Sequence, residues 1–99
     1  MTNQVIKNQR LHTKNRAVER CNIHINRSIY RTLSAKIRDG DKNTKFLSDY
    51  SNASTLWAVK HEKFWLVVLF DKRTKQIATV MPNNVYERYK DKILISSGK

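Results

Sequence analysis

Length and composition describe one small domain. The chain has 99 residues, of which 39% are hydrophobic, which is enough to bury a core and excludes a disordered basic tail. Twenty Lys and Arg against eight Asp and Glu give a formal net charge of +12 at pH 7. Because neutralised phosphates release condensed counterions, this excess favours nucleic acid as the partner over an anionic membrane surface or an acidic protein. The plainest alternative is a charge that serves only solubility.

The single cysteine, Cys21, excludes an intramolecular disulfide and is typical of a reducing compartment. Residues 1–10 are polar, and no apolar run is long enough to span a membrane. We therefore expect a cytoplasmic protein without a membrane partner. Its predicted organisation is a weakly ordered polar leader over residues 1–9, a single α+β domain over residues 10–95 and a frayed tail over residues 96–99.

The first predicted helix runs from near Arg10 to Cys21. Its apolar face combines Leu11 and Val18 with Cys21, and Ala17 lies at the edge of this face. Thr13 is an alternative starting point, because its hydroxyl suits an N-cap.

A second helix follows, and its apolar residues recur at every fourth position: Ile29, Leu33 and Ile37. Asn26 or Ser28 suits its N-cap. Gly40 suits the left-handed position that ends a helix, so this helix is predicted to stop there.

After Gly40 the apolar pattern changes to a period of two, which indicates strands. The predicted strands are residues 45–50, 55–60, 64–70 and 77–81. Residues 64–70 are apolar on both faces and are therefore predicted to be central. A last helix, capped by Asn83 or Asn84, carries one apolar face formed by Val85, Tyr89 and Ile93. The predicted fold class is α+β: two N-terminal helices packed on one face of a three- to four-stranded antiparallel meander sheet, with a short C-terminal helix.

His12, Arg16 and Arg20 recur every fourth residue and therefore form one stripe along the first helix. An imidazole can gain or lose a proton near neutral pH, and the two guanidiniums stay charged. This combination suits proton transfer beside a phosphate. A plainer interpretation is equally open: His12 only caps or packs, and the two arginines lie on a solvated face or pair with Glu19.

A family resemblance consists of four features: the stripe on the first helix, the run Ala78–Thr79–Val80–Met81–Pro82, the order of the elements and the basicity. In these features the chain resembles the superfamily of small metal-independent ribonucleases, which groups barnase, EndoU, colicin ribonuclease domains and RelE-type toxins. The resemblance covers residues 11–82. It implies a catalytic surface in which His12, Arg16, Arg20 and Thr79 act, on the open face of the sheet and the basic side of the first helix. The chain departs from the family pattern at Ile77, where a polar or charged residue is common.

Further residues are candidates for binding nucleic acid, through charge or through stacking on a base: Lys14, Lys72, Arg73, Lys75, Trp57 and Arg88. For the cations after residue 71, a solvated face without a ligand is an equally open interpretation. The histidines are scattered and the carboxylates form no cluster with ligand spacing, so we expect neither a metal nor a cofactor.

The leading hypothesis is therefore a small toxin-like endoribonuclease that cleaves RNA through a 2′,3′-cyclic phosphate. The alternatives are a non-catalytic nucleic-acid-binding or host-takeover regulatory protein on the same scaffold, and an adaptor for an acidic protein. The partners in the leading hypothesis are RNA, free or on the ribosome, and an acidic antitoxin or inhibitor protein.

Overall fold

The structure, a computed structural model, describes residues 2–96 and has the predicted α+β architecture. Its helices are α1 (Thr2–Cys21), α2 (Arg27–Asp39) and α3 (Asn83–Ser96), and its strands are β1 (Thr44–Ser51), β2 (Ser54–His61), β3 (Phe64–Asp71) and β4 (Gln76–Val80). The four strands form one antiparallel sheet in the order β1-β2-β3-β4. The predicted interior position of residues 64–70 is confirmed.

The first helix differs from the prediction in both its start and its buried face. It begins at Thr2 instead of near Arg10, so Thr13 lies inside it and is no N-cap. Thr13 and Ala17 are fully buried, whereas Leu11 and Val18 are 41% and 37% exposed. The predicted apolar face was therefore wrong at Leu11 and Val18, whereas Cys21 is half-buried and packs against the core. Small side chains on the true face let the helix lie close against β4.

The residues expected to form a weakly ordered leader are helical from Thr2 onward; Met1 lies outside the described residues. Gln9 explains why this part of α1 is held. Its amide donates to Asp71 Oδ2 at 2.8 Å and accepts from the Thr74 hydroxyl at 2.8 Å. These contacts join α1 to the turn between β3 and β4. At the other end of the chain, Ser96 closes α3, and residues 97–99 of the expected tail lie outside the described residues.

The second helix has the caps and the buried face that the sequence predicts. The Asn26 side chain accepts a 2.8 Å hydrogen bond from the Ile29 amide, as an N-cap does. Gly40 adopts φ 67°, and its amide bonds to the carbonyls of the last turn. Leu33 and Ile37 are buried against the sheet.

The sheet has helices on both faces, which makes three layers, whereas the order of two helices followed by a meander sheet predicts a sandwich of two. Leu66, Val68 and Phe70 of β3 face the core beneath α1 and α2. The alternate residue Val67 lies in a second core with α3, which contributes buried Val85 and Ile93 and half-buried Tyr89. The predicted apolar face of the last helix is thus confirmed. The face of the sheet expected to be open is partly covered by α3.

Both edge strands are irregular. In β4, Ile77 lies opposite Phe70 and Thr79 opposite Leu69, so Ala78 is an extra residue that forms a bulge. Strand β1 has register shifts between Phe46 and Ser48 and between Asp49 and Ser51. Next to the first shift, the Lys92 ammonium of α3 donates to the Leu47 carbonyl at 2.9 Å.

Candidate nucleic-acid interface

Charge is distributed unevenly over the three layers. Helices α1 and α2 carry nine Lys and Arg and two Asp and Glu, a net charge of +7. Helix α3, on the opposite face of the sheet, carries three Lys and Arg and two Asp and Glu, a net charge of +1. The layer made by α1 and α2 is therefore the strongly basic side of the molecule, and we call it the helical layer.

The predicted stripe on α1 is present, but its members have different surroundings. His12 is exposed. The Arg16 guanidinium forms an ion pair with Glu19, as the plainer interpretation of the sequence predicted. Arg20 donates from Nη1 to the Val80 carbonyl at 2.8 Å and so attaches the end of α1 to β4.

Thr79 lies on the other side of the sheet. It is opposite Leu69 in the β3–β4 ladder, and directly opposed residues point to the same face. Leu69 packs in the core beneath α3, away from α1. Among the described residues, no hydrogen bond or ion pair joins Thr79 to His12, Arg16 or Arg20. The structure does not bring the four catalytic candidates into one hydrogen-bonded site.

Arg20 does lie beside a groove of about 670 Å³ between the last turn of α1, the start of β3 and α3. Its polar lining includes Arg20, Lys63 and Asn83. Its apolar lining includes Trp65 and the exposed ring of Phe64. A groove of this size is large enough to admit a small ligand.

Three of the predicted binding residues come together at a smaller cavity. Trp57, Lys72 and Lys75 line a cavity of about 330 Å³, next to Arg38 at the end of α2. Trp57 is half-buried, and its indole N–H donates to the Thr55 hydroxyl at 2.9 Å. The ring therefore has a fixed orientation beside three cations.

The remaining predicted binding residues are dispersed. Arg73 pairs with the buried carboxylate of Asp71, 3.3 Å from Oδ2. Lys14 is exposed on α1, and Arg88 is exposed on α3 on the opposite side of the sheet. They do not form one patch.

Sequence reasoning missed a group of four cations between the first two helices. A cleft of about 650 Å³ separates the first half of α1 from the first half of α2, and we call it the α1–α2 cleft. Its lining residues are Ile6, Lys7, Arg10, Arg27, Tyr30, Arg31 and Gln76. The spacings Lys7 to Arg10 and Arg27 to Arg31 each put two cations on one helix face, which is the only signal that the sequence offered.

Cys21 has little nucleophilic character. Burial raises the pKa of its thiol, and the nearby Arg20 charge only partly opposes this. A thiol with a raised pKa is poorly ionised at neutral pH and reacts slowly.

Residues 2–96 contain neither a cluster of metal ligands nor a membrane-spanning helix. No group of three or more His, Cys, Asp or Glu side chains there is arranged to hold a metal ion. None of the helices in this range combines the length and the apolar character needed to cross a membrane. Comparisons with protein-family models, with curated proteins and with solved structures found no match to this chain.

Proposed function

We propose that this protein binds RNA, with the helical layer as its contact surface. The observation that carries this proposal is the net charge of +7 on α1 and α2, against +1 on α3. Charge confined to one side directs a polyanion to that side and raises its association rate. A molecule that needed charge only for solubility would have no reason to concentrate it.

Nucleic acid fits this surface better than an acidic protein does. Six of the nine cations in α1 and α2 are arginines. The planar guanidinium matches the oxygens of a phosphate with two parallel hydrogen bonds, whereas an ammonium acts as a point charge. The cavity beside Trp57 adds a half-buried ring against which an unpaired base can stack. Unpaired bases are the usual target of proteins that recognise RNA.

The test is binding of the full chain to a fluorescent twelve-nucleotide uridine oligomer, followed by anisotropy over a range of salt concentrations. We expect log affinity to fall linearly with log salt, with a slope of about −2 to −4 for three to six neutralised phosphates at roughly −0.7 each. A control uses an acidic peptide of the same length and charge, which we expect to bind more weakly at every salt concentration. Absence of RNA binding at low salt, or a flat salt dependence, would overturn the proposal.

An endoribonuclease is the second candidate. It is supported by the groove of about 670 Å³ that begins at Arg20, the end of the predicted catalytic stripe. Incubation of total RNA with the protein in EDTA, followed by analysis of the product ends, tests it. Fragments ending in a 2′,3′-cyclic phosphate support cleavage by proton transfer. Intact RNA under conditions in which it is bound would leave binding as the function.

A further inference from the structure

We propose that the α1–α2 cleft binds one ribonucleotide unit of the RNA, with the phosphate held by its cations and the ribose 2′-hydroxyl held by Gln76. This inference rests on the proposed function and adds to it a defined site and a preference for RNA over DNA. Three observations support it: the cations without partners, the N-terminus of α2 at the border of the cleft, and the buried Oε1 atom of Gln76 that lacks a hydrogen-bond partner.

The four cations of the cleft are Lys7, Arg10, Arg27 and Arg31. In the described part of the chain, none of them has an ion pair or a side-chain hydrogen bond, unlike Arg16 and Arg73. No acidic residue lines the cleft. Its cations therefore keep all their donors for a ligand, and an anion entering there meets no opposing carboxylate.

Two features strengthen the attraction for a phosphate. Arg27 is the first residue of α2, so the cleft borders the positive end of that helix dipole. Arg10 is partly buried, and a charge that is partly screened from water interacts more strongly with an anion than an exposed one does.

Gln76 supplies the second half of the recognition. It lines the same cleft, and its Oε1 atom is buried without a hydrogen-bond partner. A buried carbonyl oxygen without a donor is unfavourable, so rotation of the Gln76 side chain toward a ligand that brings a donor into the cleft is favourable. Phosphate oxygens only accept hydrogen bonds. A ribose hydroxyl donates, and the 2′-hydroxyl is the group that distinguishes RNA from DNA.

Tyr30 is the other uncharged polar residue that lines the cleft, and its hydroxyl already forms a hydrogen bond within the protein. It is 1% exposed, and its hydroxyl donates to the Ile77 carbonyl at 2.6 Å. Its ring can contact a ligand, but its hydroxyl is committed to the fold. Gln76 is therefore the neutral side chain that we assign to the sugar.

The experiment compares two twelve-nucleotide oligomers, one of uridine and one of deoxyuridine, which differ only in the 2′-hydroxyl. Affinities are measured by fluorescence anisotropy for the wild type and three variants. Gln76→Leu removes the carbonyl at similar size. Arg10→Gln/Arg31→Gln removes two charges from the cleft. Arg88→Gln/Lys90→Gln removes two charges from α3 and is the matched control. Lys7→Gln/Arg27→Gln replaces the first double variant if that one does not fold, as judged by circular dichroism.

We expect the wild type to prefer the ribo-oligomer by roughly 3- to 10-fold, the scale of one hydrogen bond. Gln76→Leu is expected to bring this ratio close to one by weakening RNA binding alone. The cleft double variant is expected to weaken both oligomers by roughly 10-fold or more and to reduce the salt slope by up to about 0.7, the value for the one phosphate that the cleft holds. The α3 control is expected to change either affinity less than about 3-fold.

The outcomes separate this inference from the proposed function. If the wild type binds neither oligomer, the proposed function and this site both fail. If RNA binds but the cleft and α3 control variants lose affinity equally, the cleft and the assignment of the contact surface to the helical layer are overturned, while RNA binding itself stands. If the cleft variant loses affinity selectively while Gln76→Leu keeps the wild-type ratio, the sugar contact is overturned.

Discussion

The Tyr30 hydroxyl donates a 2.6 Å hydrogen bond to the main-chain carbonyl of Ile77, and this contact links α2 to the edge of the sheet. The same carbonyl accepts from the Thr13 hydroxyl of α1 at 3.4 Å. The Ile77 amide donates to the Ser34 hydroxyl of α2 at 3.1 Å. One residue of β4 thus holds both helices of the helical layer in place.

Replacement of Tyr30 by Phe tests this connection. The change leaves the buried carbonyl of Ile77 with only the longer bond from Thr13, so we expect the free energy of unfolding to fall by about 1–2 kcal/mol. In a domain of this size the melting temperature then falls by roughly 5–15 °C. Tyr50→Phe is the control, because Tyr50 is 58% exposed, and it is expected to melt like the wild type. Equal melting temperatures for the two variants would show that the bond contributes nothing.

Ala17→Leu tests the close approach of α1 to β4. Ala17 is fully buried in the core beneath the helices, so a larger side chain must displace its neighbours. We expect a loss of about 1–3 kcal/mol in denaturant unfolding. The neighbouring change Val18→Leu, at a position that is 37% exposed, is expected to have an effect below about 0.5 kcal/mol. If Val18→Leu proved the more destabilising of the two, the assignment of the buried face would be wrong.

Asp71 makes the stability of the fold depend on pH. Burial opposes its charge, but hydrogen bonds from Arg73, Gln9 and Thr74 outweigh burial and lower the pKa of its carboxyl. Its contribution to stability is therefore complete above about pH 4, the usual pKa of an unfolded aspartate, and is lost as the pH falls toward the lower pKa of the folded state.

The expected result is that Asp71→Asn is less stable than the wild type at pH 6, by about 1–3 kcal/mol, and that the difference shrinks as the pH falls toward 3. Denaturant unfolding at several pH values measures it. Asp49→Asn, at an exposed position on β1, serves as the control and is expected to follow the wild type throughout. A difference that stays constant with pH would mean that the charge of Asp71 is not what stabilises the turn.

His12→Ala addresses the second candidate function. If the protein cleaves RNA with His12 as acid or base, the rate is expected to fall by roughly 10²- to 10⁴-fold. His24→Ala is the matched control, since His24 is also exposed. Thr79→Val is expected to leave the rate unchanged, because Thr79 lies on the face opposite α1. Cleavage by folded His12→Ala at the wild-type rate would remove His12 from the mechanism.

The sequence predicted those elements whose signals are local. Helix α2 is specified by local signals alone: the repeat of Ile29, Leu33 and Ile37, the N-cap Asn26 and the C-terminal Gly40. The sheet follows in the same way from alternating apolar residues. The start and the buried face of α1 were mispredicted, because that face centres on Thr13 and Ala17, whose polar or small side chains give a weak hydrophobic signal; tertiary contacts with β4 determine that face.

The candidate site was harder to predict for a related reason. The α1–α2 cleft combines cations from two segments that are about one helix length apart in the sequence, at Lys7 and Arg10 and at Arg27 and Arg31. Each pair by itself is typical of a solvated helix face. Only the crossing of the helices puts the pairs around one cavity, and that crossing depends on β4.

The irregular edges of the sheet have a consequence for association between copies of the chain. Growth of a sheet by strand addition needs a straight edge with a regular row of amides and carbonyls. Here the extra residue Ala78 interrupts one edge, and the Val80 carbonyl beyond it is occupied by Arg20. The opposite edge is broken near Leu47, whose carbonyl is occupied by Lys92. A fibril-like stack of these molecules would first have to straighten a strand and displace a cation at either edge, so the fold resists templated aggregation.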